Sequence, residues 1–338
     1  MTVWLGGATG FLGRHVAARL ALRAQEMTLV SRGGGSIEVD AGEVRRTLEV
    51  SAVDVLDAAA VAQSARGATE AILCTGRVSR DAADAELLHQ LHVEGTKQAL
   101  LGLRQAGVRR VVVTSTSGTV AVSRDPARID DETSGSPLEL IAGWPYYRSK
   151  YYGERVALEQ SSPDFEVIVI NPSLLLGPGD LRESSTLDVR RFLEGAFAVT
   201  PRGGLSLVDV RDAAEGAVLA LEKGRPGERY LLSAANLTFA AFFARLGRIS
   251  GKSPPRLLAP ANRELTMGLF ALYDGAIRRL GGRSPIEALE VELSSHYWYA
   301  SAAKAERQLG FSARDPGETL RDTVQDLVAR RVVAPLAG

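Results

Sequence analysis

Two tyrosines precede a single lysine at helical spacing in the stretch GWPYYRSKYYGE, residues 143–154. Tyr146 lies four residues before Lys150 and Tyr147 lies three before it, and both spacings bring side chains together on a helix. Pro145 suits the first position of a helix, which places Tyr146 in the first turn. An ammonium beside a phenol favours phenolate, so the pKa of the tyrosine should fall from about 10 toward neutrality. Such a pair could move a proton beside a hydride transfer, although an aromatic stripe that only packs is the alternative.

A run of hydroxyl side chains ends a predicted strand in VVVTSTSG, residues 111–118. The carboxyl ends of strands are where ligands bind in an open α/β sheet. A hydroxyl at this place could polarise a substrate carbonyl. The candidates are Thr114, Ser115, Thr116 and Ser117. Serine and threonine also favour turns, so each of the four taken singly has an ordinary structural explanation.

A glycine-rich turn, GGATGFLGRHV, follows the first predicted strand and opens a helix. A pyrophosphate against a helix N-terminus requires a tight turn, a close backbone approach and close helix–strand packing, which three glycines can supply. The pattern predicts a dinucleotide site, and a plain strand–helix turn is the alternative. The candidate contacts in this turn are Gly7, Thr9, Gly10, Phe11, Leu12 and Gly13.

The end of the second predicted strand indicates which dinucleotide is bound. An acidic residue there bonds the ribose 2′-hydroxyl of NAD, whereas a basic residue accommodates the 2′-phosphate of NADP. This strand ends in Ser31 and Arg32, and the forked donors of arginine suit a phosphate. A solvated loop arginine is the alternative. Asp54, after the third strand, could accept a hydrogen bond from the adenine amino group or cap the next helix.

Short apolar runs alternate with helical patterns over the first 170 residues, which predicts a doubly wound parallel α/β sheet. We predict strands at 2–6, 27–31, 44–50, 70–75, 109–115 and 165–171, and helices at 11–24, 57–65, 82–106 and 145–160. RGGGS at 32–36 and NPSLLLGPGD at 171–180 are predicted loops. Beyond them we predict strands at 205–208 and 228–232, helices at 187–196, 210–223 and 239–250, and a mostly helical segment over 262–335.

These elements divide into two parts. Residues 1–172 are expected to form an NADP-binding Rossmann domain, to which 205–235 returns. Residues 173–338 are expected to form mainly a smaller, substrate-binding lobe.

Whole-chain composition excludes strongly charged partners. Of 338 residues, 45% are apolar and 24% charged, and 40 Lys and Arg balance 40 Asp and Glu. This balance gives no electrostatic footprint for nucleic acid or an anionic membrane. The single cysteine, Cys74, excludes an internal disulfide and fits a reducing, cytoplasmic location. We recognise no signal peptide in the sequence. We also find no run of roughly 18 apolar residues, the length that a membrane helix requires. No metal is expected.

Three motifs together resemble those of the extended short-chain dehydrogenase/reductases: the glycine-rich turn, the strand end TSTSGTV and the segment YYRSK. The chain looks most like the dihydroflavonol-4-reductase-like group and its bacterial NAD-dependent epimerase/dehydratase relatives. The resemblance covers nearly the whole chain, including NPSLLLGPGD, LVDVRDAAEGAVLALEKGRPGERYLLS at 207–233 and YASAAKAERQLGF at 299–311. It implies a Rossmann-type fold and a nicotinamide cofactor.

The resemblance also implies roles for individual residues. The family spacing Tyr-x-x-x-Lys makes Tyr146 the acid/base and Lys150 its partner. The family serine corresponds to Thr116, and Ser115 or Ser117 could share its role. The cofactor contacts expected outside the glycine-rich turn are Ser31, Arg32, Asp54, Val55, Thr75, Gly76, Thr114, Tyr146, Lys150, Pro172 and Ser173. Asp54 and Val55 match adenine contacts, and Pro172 and Ser173 lie at the nicotinamide end.

Two departures from the family pattern leave roles open. His92 stands in HVEGT where the family usually has asparagine, and we favour a structural role over a water relay. CTGRVSR at 74–80 replaces the usual histidine-containing motif, so Arg77 and Arg80 could line the substrate mouth or be solvated charges.

The expected function is an NADPH-dependent reductase of a ketone or aldehyde on a small, moderately hydrophobic substrate. A nucleotide-sugar epimerase/dehydratase that retains NAD is the alternative enzyme. A redox sensor or scaffold that binds the dinucleotide without turnover is disfavoured by Tyr146 and Lys150. A homodimer formed through the helices at 82–106 and 145–160 is a further expectation.

Overall fold

Buried strands form the centre of the computed structural model, which describes residues 2–41, 44–279, 281–282, 284 and 286–335. The strands are β1 (Thr2–Gly6), β2 (Glu26–Ser31), β3 (Gly35–Ala41), β4 (Val44–Ala52), β5 (Ala68–Leu73), β6 (Arg110–Thr114), β7 (Glu166–Pro172), β8 (Leu174–Leu176), β9 (Val199–Thr200), β10 (Gly204–Asp209), β11 (Arg229–Leu232), β12 (Ala235–Thr238) and β13 (Leu257–Leu258). The central sheet has eight strands in the order β11–β7–β6–β5–β1–β2–β4–β3. Its neighbours are parallel except for the antiparallel edge pair β3–β4.

Helices cover both faces of the central sheet, which confirms the predicted doubly wound arrangement. They are α1 (Phe11–Leu22), α2 (Ala58–Ser64), α3 (Ala85–His89), α4 (Gly95–Gln105), α5 (Leu138–Ile141), α6 (Pro145–Glu159), α7 (Leu187–Leu193), α8 (Val210–Lys223), α9 (Phe239–Ser250), α10 (Arg263–Arg279), α11 (Ala288–Leu293), α12 (Ala303–Leu309) and α13 (Pro316–Ala329). A turn of π-helix, Gln90–Glu94, joins α3 to α4.

The strand period of two sends alternate residues of β1 into two separate cores. Val3 and Leu5 pack with α1 and α8 on one face. Trp4 packs with α2 and α4 on the other face, and its indole N–H donates to the Ser64 hydroxyl at 3.0 Å. Burial on both faces is why these strands are apolar without alternation, as their sequence indicated.

A smaller lobe is built around a three-stranded sheet in the order β12–β10–β8. Its core joins α7, α9 and α13 through Phe192, Phe243, Leu246 and Leu320. β10 therefore belongs to the smaller sheet, whereas β11 pairs with β7 at the edge of the central sheet. Within the described ranges, no helix combines the length and apolar character needed to cross a membrane.

Two predicted loops are partly wrong. β3 begins at Gly35 inside RGGGS, and Ile37 and Val39 alternate with exposed neighbours as an edge strand requires. The strand was not predicted because its first residues belong to a glycine-rich segment, which is typical of a loop. In NPSLLLGPGD, β7 continues through Pro172 and β8 follows. Pro172 is tolerated because a proline at a strand end removes little pairing.

Candidate active site

The glycine-rich turn brings three pieces of backbone into contact. Gly7 has a φ of +78°, and a Cβ there would lie 2.8 Å from the carbonyl of Cys74. A Cβ on Gly13 would overlap the carbonyl oxygen of Gly7. Gly10 caps α1 with no side-chain hydrogen bond, and the first turn of α1 contains no acidic residue. This N-terminus is therefore free to receive an anionic group such as a pyrophosphate.

Two buried hydroxyls beside this turn have no partner within the described part of the chain. They are Ser31 Oγ at the end of β2 and Thr75 Oγ1 just after β5. β1 lies between these strands, so both hydroxyls flank the glycine-rich turn. Buried polar atoms are nearly always hydrogen-bonded, so both hydroxyls are available as partners for a bound group. The glycine cradle and these hydroxyls fit a dinucleotide.

The end of β2 and the segment after β4 carry an exposed arginine and an exposed carboxylate, the side chains that the sequence predicted for the adenosine end of a cofactor. Arg32 is exposed directly after β2 and forms no ion pair with a described residue. Asp54 is also exposed and accepts from the Leu56 N–H at 3.0 Å. The cap of α2 is Asp57, so the alternative that Asp54 caps this helix is wrong. Val55 is buried beneath the site.

Tyr146 stands in the first turn of α6, which begins at Pro145 as predicted. Its phenol lies beside the Thr116 side chain. Burial raises the pKa of Tyr146 well above its ordinary value, Tyr147 raises it further, and the nearby Thr116 hydroxyl opposes both effects. The sequence predicted a lowered pKa, and that direction is wrong for this protein without a bound cofactor. The Lys150 ammonium donates instead to the Thr114 carbonyl at 3.1 Å.

Lys150 is 9% exposed and lies one turn behind Tyr146. Burial lowers the pKa of Lys150 to about 8, against the opposing effects of Cys74 and Glu154. Gly76 faces the amine, and a Cβ at that position would lie 3.2 Å from Lys150 Nζ. A side chain at Gly76 would therefore crowd the amine.

The three candidate hydroxyls after β6 differ in exposure and in the hydrogen bonds that they already make. Ser115 is 7% exposed and donates to Glu154 Oε2 at 2.6 Å, so its hydroxyl is occupied. Ser117 is 6% exposed. Thr116 is partly exposed, and among the described residues its hydroxyl only accepts a long bond, 3.4 Å, from the Gly118 N–H. The geometry therefore favours Thr116 as the hydroxyl beside the phenol.

His92 is hydrogen-bonded to α6, the helix that carries Tyr146. Its Nε2 accepts from the Arg77 N–H at 3.1 Å, so Nδ1 carries the proton and donates to Ser149 Oγ at 2.8 Å. Ser149 in turn donates to the Tyr146 carbonyl at 2.8 Å. Burial, aided by the Lys150 charge, lowers the pKa of His92 to about 2. The ring is neutral with both nitrogens occupied, which agrees with the structural role we favoured.

An aromatic wall, defined here as Trp144, Tyr147 and Trp298, borders the phenol of Tyr146. Tyr147 stacks on Trp298 with ring centres 4.6 Å apart and meets the Tyr146 ring edge-on at 5.0 Å. A Cβ at Gly118 would overlap the Tyr147 ring, so the absence of a side chain there permits the stack. The wall presents an apolar, planar surface next to the phenol.

Arg80 is a paired charge at the junction of the two lobes. It makes a two-pronged contact with Asp188 of α7 at 2.7 and 3.1 Å and donates to Glu290 of α11 at 2.9 Å. Arg191 also donates to Glu290, at 3.0 Å. Arg77, by contrast, is exposed and only reaches Asp84 at 3.4 Å. Arg80 therefore ties the loop after β5 to the smaller lobe.

The end of β7, the neighbour of β6 in the sheet, carries two further residues that the sequence predicted as cofactor contacts. Pro172 ends β7 and pairs with Leu232. The N–H and hydroxyl of Ser173 both donate to the Leu232 carbonyl, at 3.0 and 3.1 Å. Ser173 is buried, so its hydroxyl is already used inside the protein.

Residues 3–233 match the model of the NAD dependent epimerase/dehydratase family, which is well over half of the chain. The chain belongs to that family. It is therefore an NAD(P)-dependent oxidoreductase of the extended short-chain dehydrogenase/reductase type, as its motifs indicated.

Relatives of this epimerase/dehydratase family member carry several different names. A Synechocystis sp. protein whose name includes the words dihydroflavonol 4-reductase is 33% identical over 71% of each chain. Sterol demethylase protein B of Methylococcus capsulatus is 29% identical over 82% of this chain and 83% of the relative. A 4-hydroxy-2-methyl-3-oxo-4-farnesyl-3,4-dihydroquinoline-1-oxide ketoreductase of Stigmatella aurantiaca is 27% identical over 93% of this chain and 92% of its own length.

Solved structures of the same architecture include dTDP-glucose 4,6-dehydratase from Streptomyces venezuelae with NAD bound. Its TM-score is 0.74 at 21% identity, and the alignment covers 98% of both chains. At this identity the likeness shows the fold, and it confirms the Rossmann-type sheet of the family member.

Sequence reasoning missed the acidic side chains of the site. Glu154 is 4% exposed on α6, and Asp188 and Glu290 hold Arg80. Glu154 lies four residues after Lys150, on the same helix face, and this periodicity is the signal that could have placed it inside. Asp188 and Glu290 are 102 positions apart in the chain (290 − 188), and no local pattern connects them.

Proposed function

We propose that the chain is an NADPH-dependent reductase of a ketone or aldehyde on a small, moderately hydrophobic substrate. One observation carries this proposal. The Tyr146 phenol lies beside the Thr116 hydroxyl, with buried Lys150 one helical turn away, at the same edge of the sheet from which α1 begins. A carbonyl oxygen placed between the two hydroxyls would have a proton donor and a polarising donor within reach.

The proposed chemistry divides simply between cofactor and protein. A bound dihydronicotinamide supplies a hydride to the carbonyl carbon. Thr116 donates a hydrogen bond to the carbonyl oxygen, and Tyr146 gives that oxygen its proton, so the product is an alcohol. Lys150 is charged below about pH 8 and compensates the negative charge left on the phenol.

With its pKa raised, the Tyr146 phenol is protonated at neutral pH, which is the state that a proton donor requires. A reductase needs a proton donor at this position, whereas an epimerase or dehydratase begins by oxidising its substrate and needs a proton acceptor. Two relatives are named as reductases of carbonyl compounds, in agreement with this direction. The NAD-retaining nucleotide-sugar epimerase/dehydratase is the second candidate, supported by the fold neighbour with bound NAD.

NADP is the proposed cofactor because Arg32 is exposed, unpaired among described residues and adjacent to the orphaned Ser31 hydroxyl. We expect Arg32→Asp to weaken NADPH binding roughly tenfold to a hundredfold, the range of a lost hydrogen bond to a charged group, and to leave NADH binding nearly unchanged. Fluorescence titration of both cofactors measures this. Arg66→Asp, at another exposed arginine beyond α2, makes the same change in net charge and serves as control. An unaltered NADPH-over-NADH preference in Arg32→Asp contradicts the proposal.

The aromatic wall supports a moderately hydrophobic substrate. Tyr147 and Trp298 offer a planar apolar surface immediately beside the phenol, and Trp144 is buried behind them. Comparing NADPH oxidation with apolar aldehydes and ketones against nucleotide sugars tests this. Faster turnover of the apolar carbonyls is expected, and turnover of nucleotide sugars alone would favour the second candidate.

We also propose a homodimer, in the cytoplasm where the NADPH pool is reducing. α6 and the segment from α3 to the π-turn form an open groove of about 470 Å³, lined by His89, Val93, Leu138, Tyr151, Tyr152, Arg155, Val156 and Glu159. Tyr152 is 43% exposed, which is large for an apolar ring without a partner surface. Sedimentation velocity should show a dimer that Tyr152→Glu dissociates, and a monomeric wild-type protein contradicts this proposal.

A further inference from the structure

Glu154 is a buried side chain that takes no part in the proposed transfer of hydride and proton. It lies on α6 one turn beyond Lys150 and two turns beyond Tyr146, and it is 4% exposed. A buried charge is costly unless donors surround it. Four donors do: Ser115 Oγ at 2.6 Å, Thr119 Oγ1 at 2.7 Å, Asn171 Nδ2 at 2.8 Å and Arg229 Nη1 at 3.1 Å.

The same donors hold the backbone of Thr116. The Thr116 carbonyl accepts from Asn171 Nδ2 at 3.1 Å. The Thr119 hydroxyl lies 2.9 Å from the same carbonyl, and its single proton goes either there or to Glu154. Thr119 and Asn171 are fully buried, so neither can exchange these bonds for water. Glu154 therefore fixes the turn 115–119 through Thr119 and Asn171 without touching the Thr116 side chain.

Glu154 also acts on the amine of Lys150 through its charge. The titratable groups that face this amine among the described residues are Cys74, His92, Tyr146 and Glu154. Burial raises the pKa of the Cys74 thiol to about 11, and His92 and Tyr146 are neutral near pH 7 as described above. A carboxylate at Glu154 favours the charged form of Lys150, which opposes the effect of burial on the pKa of the amine.

We propose that Glu154 is a positioning residue of the active site, which holds the Thr116 turn in place and puts a carboxylate one helical turn beyond Lys150. The inference rests on the proposed function for its kinetic consequences. A purely structural Glu154 would instead be a stabilising buried ion pair with Arg229, and the two roles separate experimentally.

The decisive variant is Glu154→Gln, made in the full chain. Loss of the negative charge should lower the pKa of Lys150, so the alkaline limb of kcat/KM for NADPH-dependent carbonyl reduction moves to lower pH. We expect kcat to fall roughly tenfold to a hundredfold, as for a lost hydrogen bond to a charged group. The control is Asp212→Asn on α8, across the central sheet, where a 6% exposed carboxylate also binds an arginine, Arg314. It should lose stability and keep the wild-type pH profile. If Glu154→Gln behaves like Asp212→Asn, the proposal is overturned.

Two further measurements keep the test decisive. Thr119→Val retains the carboxylate, so it should slow turnover and leave the alkaline limb of the pH profile in place. Unchanged turnover contradicts the positioning of Thr116.

NMR titration of ¹³Cε-lysine, with the Lys150 signal assigned from Lys150→Arg, needs no substrate. It should show a lower pKa for Lys150 in Glu154→Gln than in the wild-type protein, and equal values overturn the charge effect. This readout stands even if no carbonyl substrate is turned over, a result that would count against the proposed function alone.

Discussion

Replacing the buried lysine should stabilise the protein while removing its activity. Burial shifts the pKa of Lys150 from 10.5 to about 8, and this shift is a cost of holding an ammonium inside the folded protein. At about 1.36 kcal/mol per pKa unit, the cost is roughly 3 kcal/mol. Lys150→Met removes it and also removes the hydrogen bond to the Thr114 carbonyl, worth about 1 kcal/mol. The expected net gain at pH 7 is about 2 kcal/mol.

The pH dependence of this gain gives the sharper test. The unfolded chain binds the proton up to pH 10.5 and the folded chain only up to about pH 8, so the cost is complete below pH 8 and disappears toward pH 10.5. The gain in Lys150→Met should therefore fall from about 2 kcal/mol at pH 7 to about zero at pH 10.

Urea unfolding of wild type and variant at pH 7 and pH 10 measures both values. Lys223→Met is the matched control, because Lys223 also donates to a backbone carbonyl, that of Leu309, at 3.1 Å, yet lies exposed. It should lose about 1 kcal/mol or less at both pH values. Destabilisation of Lys150→Met by the same amount at pH 7 and pH 10 would refute the reasoning.

Three other perturbations follow from the geometry. Gly13→Ala would drive a methyl group into the Gly7 carbonyl, so it should cost about 1–3 kcal/mol of stability and abolish dinucleotide binding in a fluorescence titration; normal binding would show that the turn can yield. Gly118→Ala would displace the Tyr147 ring, so KM for apolar carbonyls should rise while NADPH affinity stays constant, and an unchanged KM would remove the aromatic wall from the substrate site. His92 has a pKa lowered to about 2, so the unfolded chain alone binds its proton below about pH 6.5 and stability falls as the pH drops from 6.5. His92→Gln should flatten this dependence between pH 7 and pH 5 in urea melts, and an identical slope would contradict the neutral, buried ring.

Local patterns were sufficient for much of the fold. The apolar periodicity of 210–223 predicted α8 with its observed ends, because Asp209 caps its start and Gly224 and Pro226 follow its end. β3 was missed because three consecutive glycines stand where the edge strand begins, inside the predicted loop 32–36, and the alternating Ile37 and Val39 beyond it were assigned to no element. The edge strand depends on pairing with β4, which a local pattern does not reveal.

The candidate site was predictable in its residue types and unpredictable in its electrostatics. Spacing and family resemblance selected Tyr146, Thr116 and Lys150. The direction of the Tyr146 pKa depends on burial and on Lys150 donating to a backbone carbonyl, and both are tertiary facts. Glu154 was passed over for the same reason, since an acidic residue on a helix ordinarily faces water.

The central claim is that Tyr146 is the proton donor of an NADPH-dependent carbonyl reductase. The most direct measurement is NADPH oxidation with apolar aldehydes and ketones by wild type, Tyr146→Phe and Tyr147→Phe. Both tyrosines are half-buried in adjacent positions of α6, so the second variant controls for the loss of a phenol hydroxyl. We expect Tyr146→Phe to lower kcat by at least about a hundredfold and Tyr147→Phe to remain close to wild type. Equal activity in wild type and Tyr146→Phe, or purified protein that holds NAD and oxidises no added NADPH, would contradict the claim.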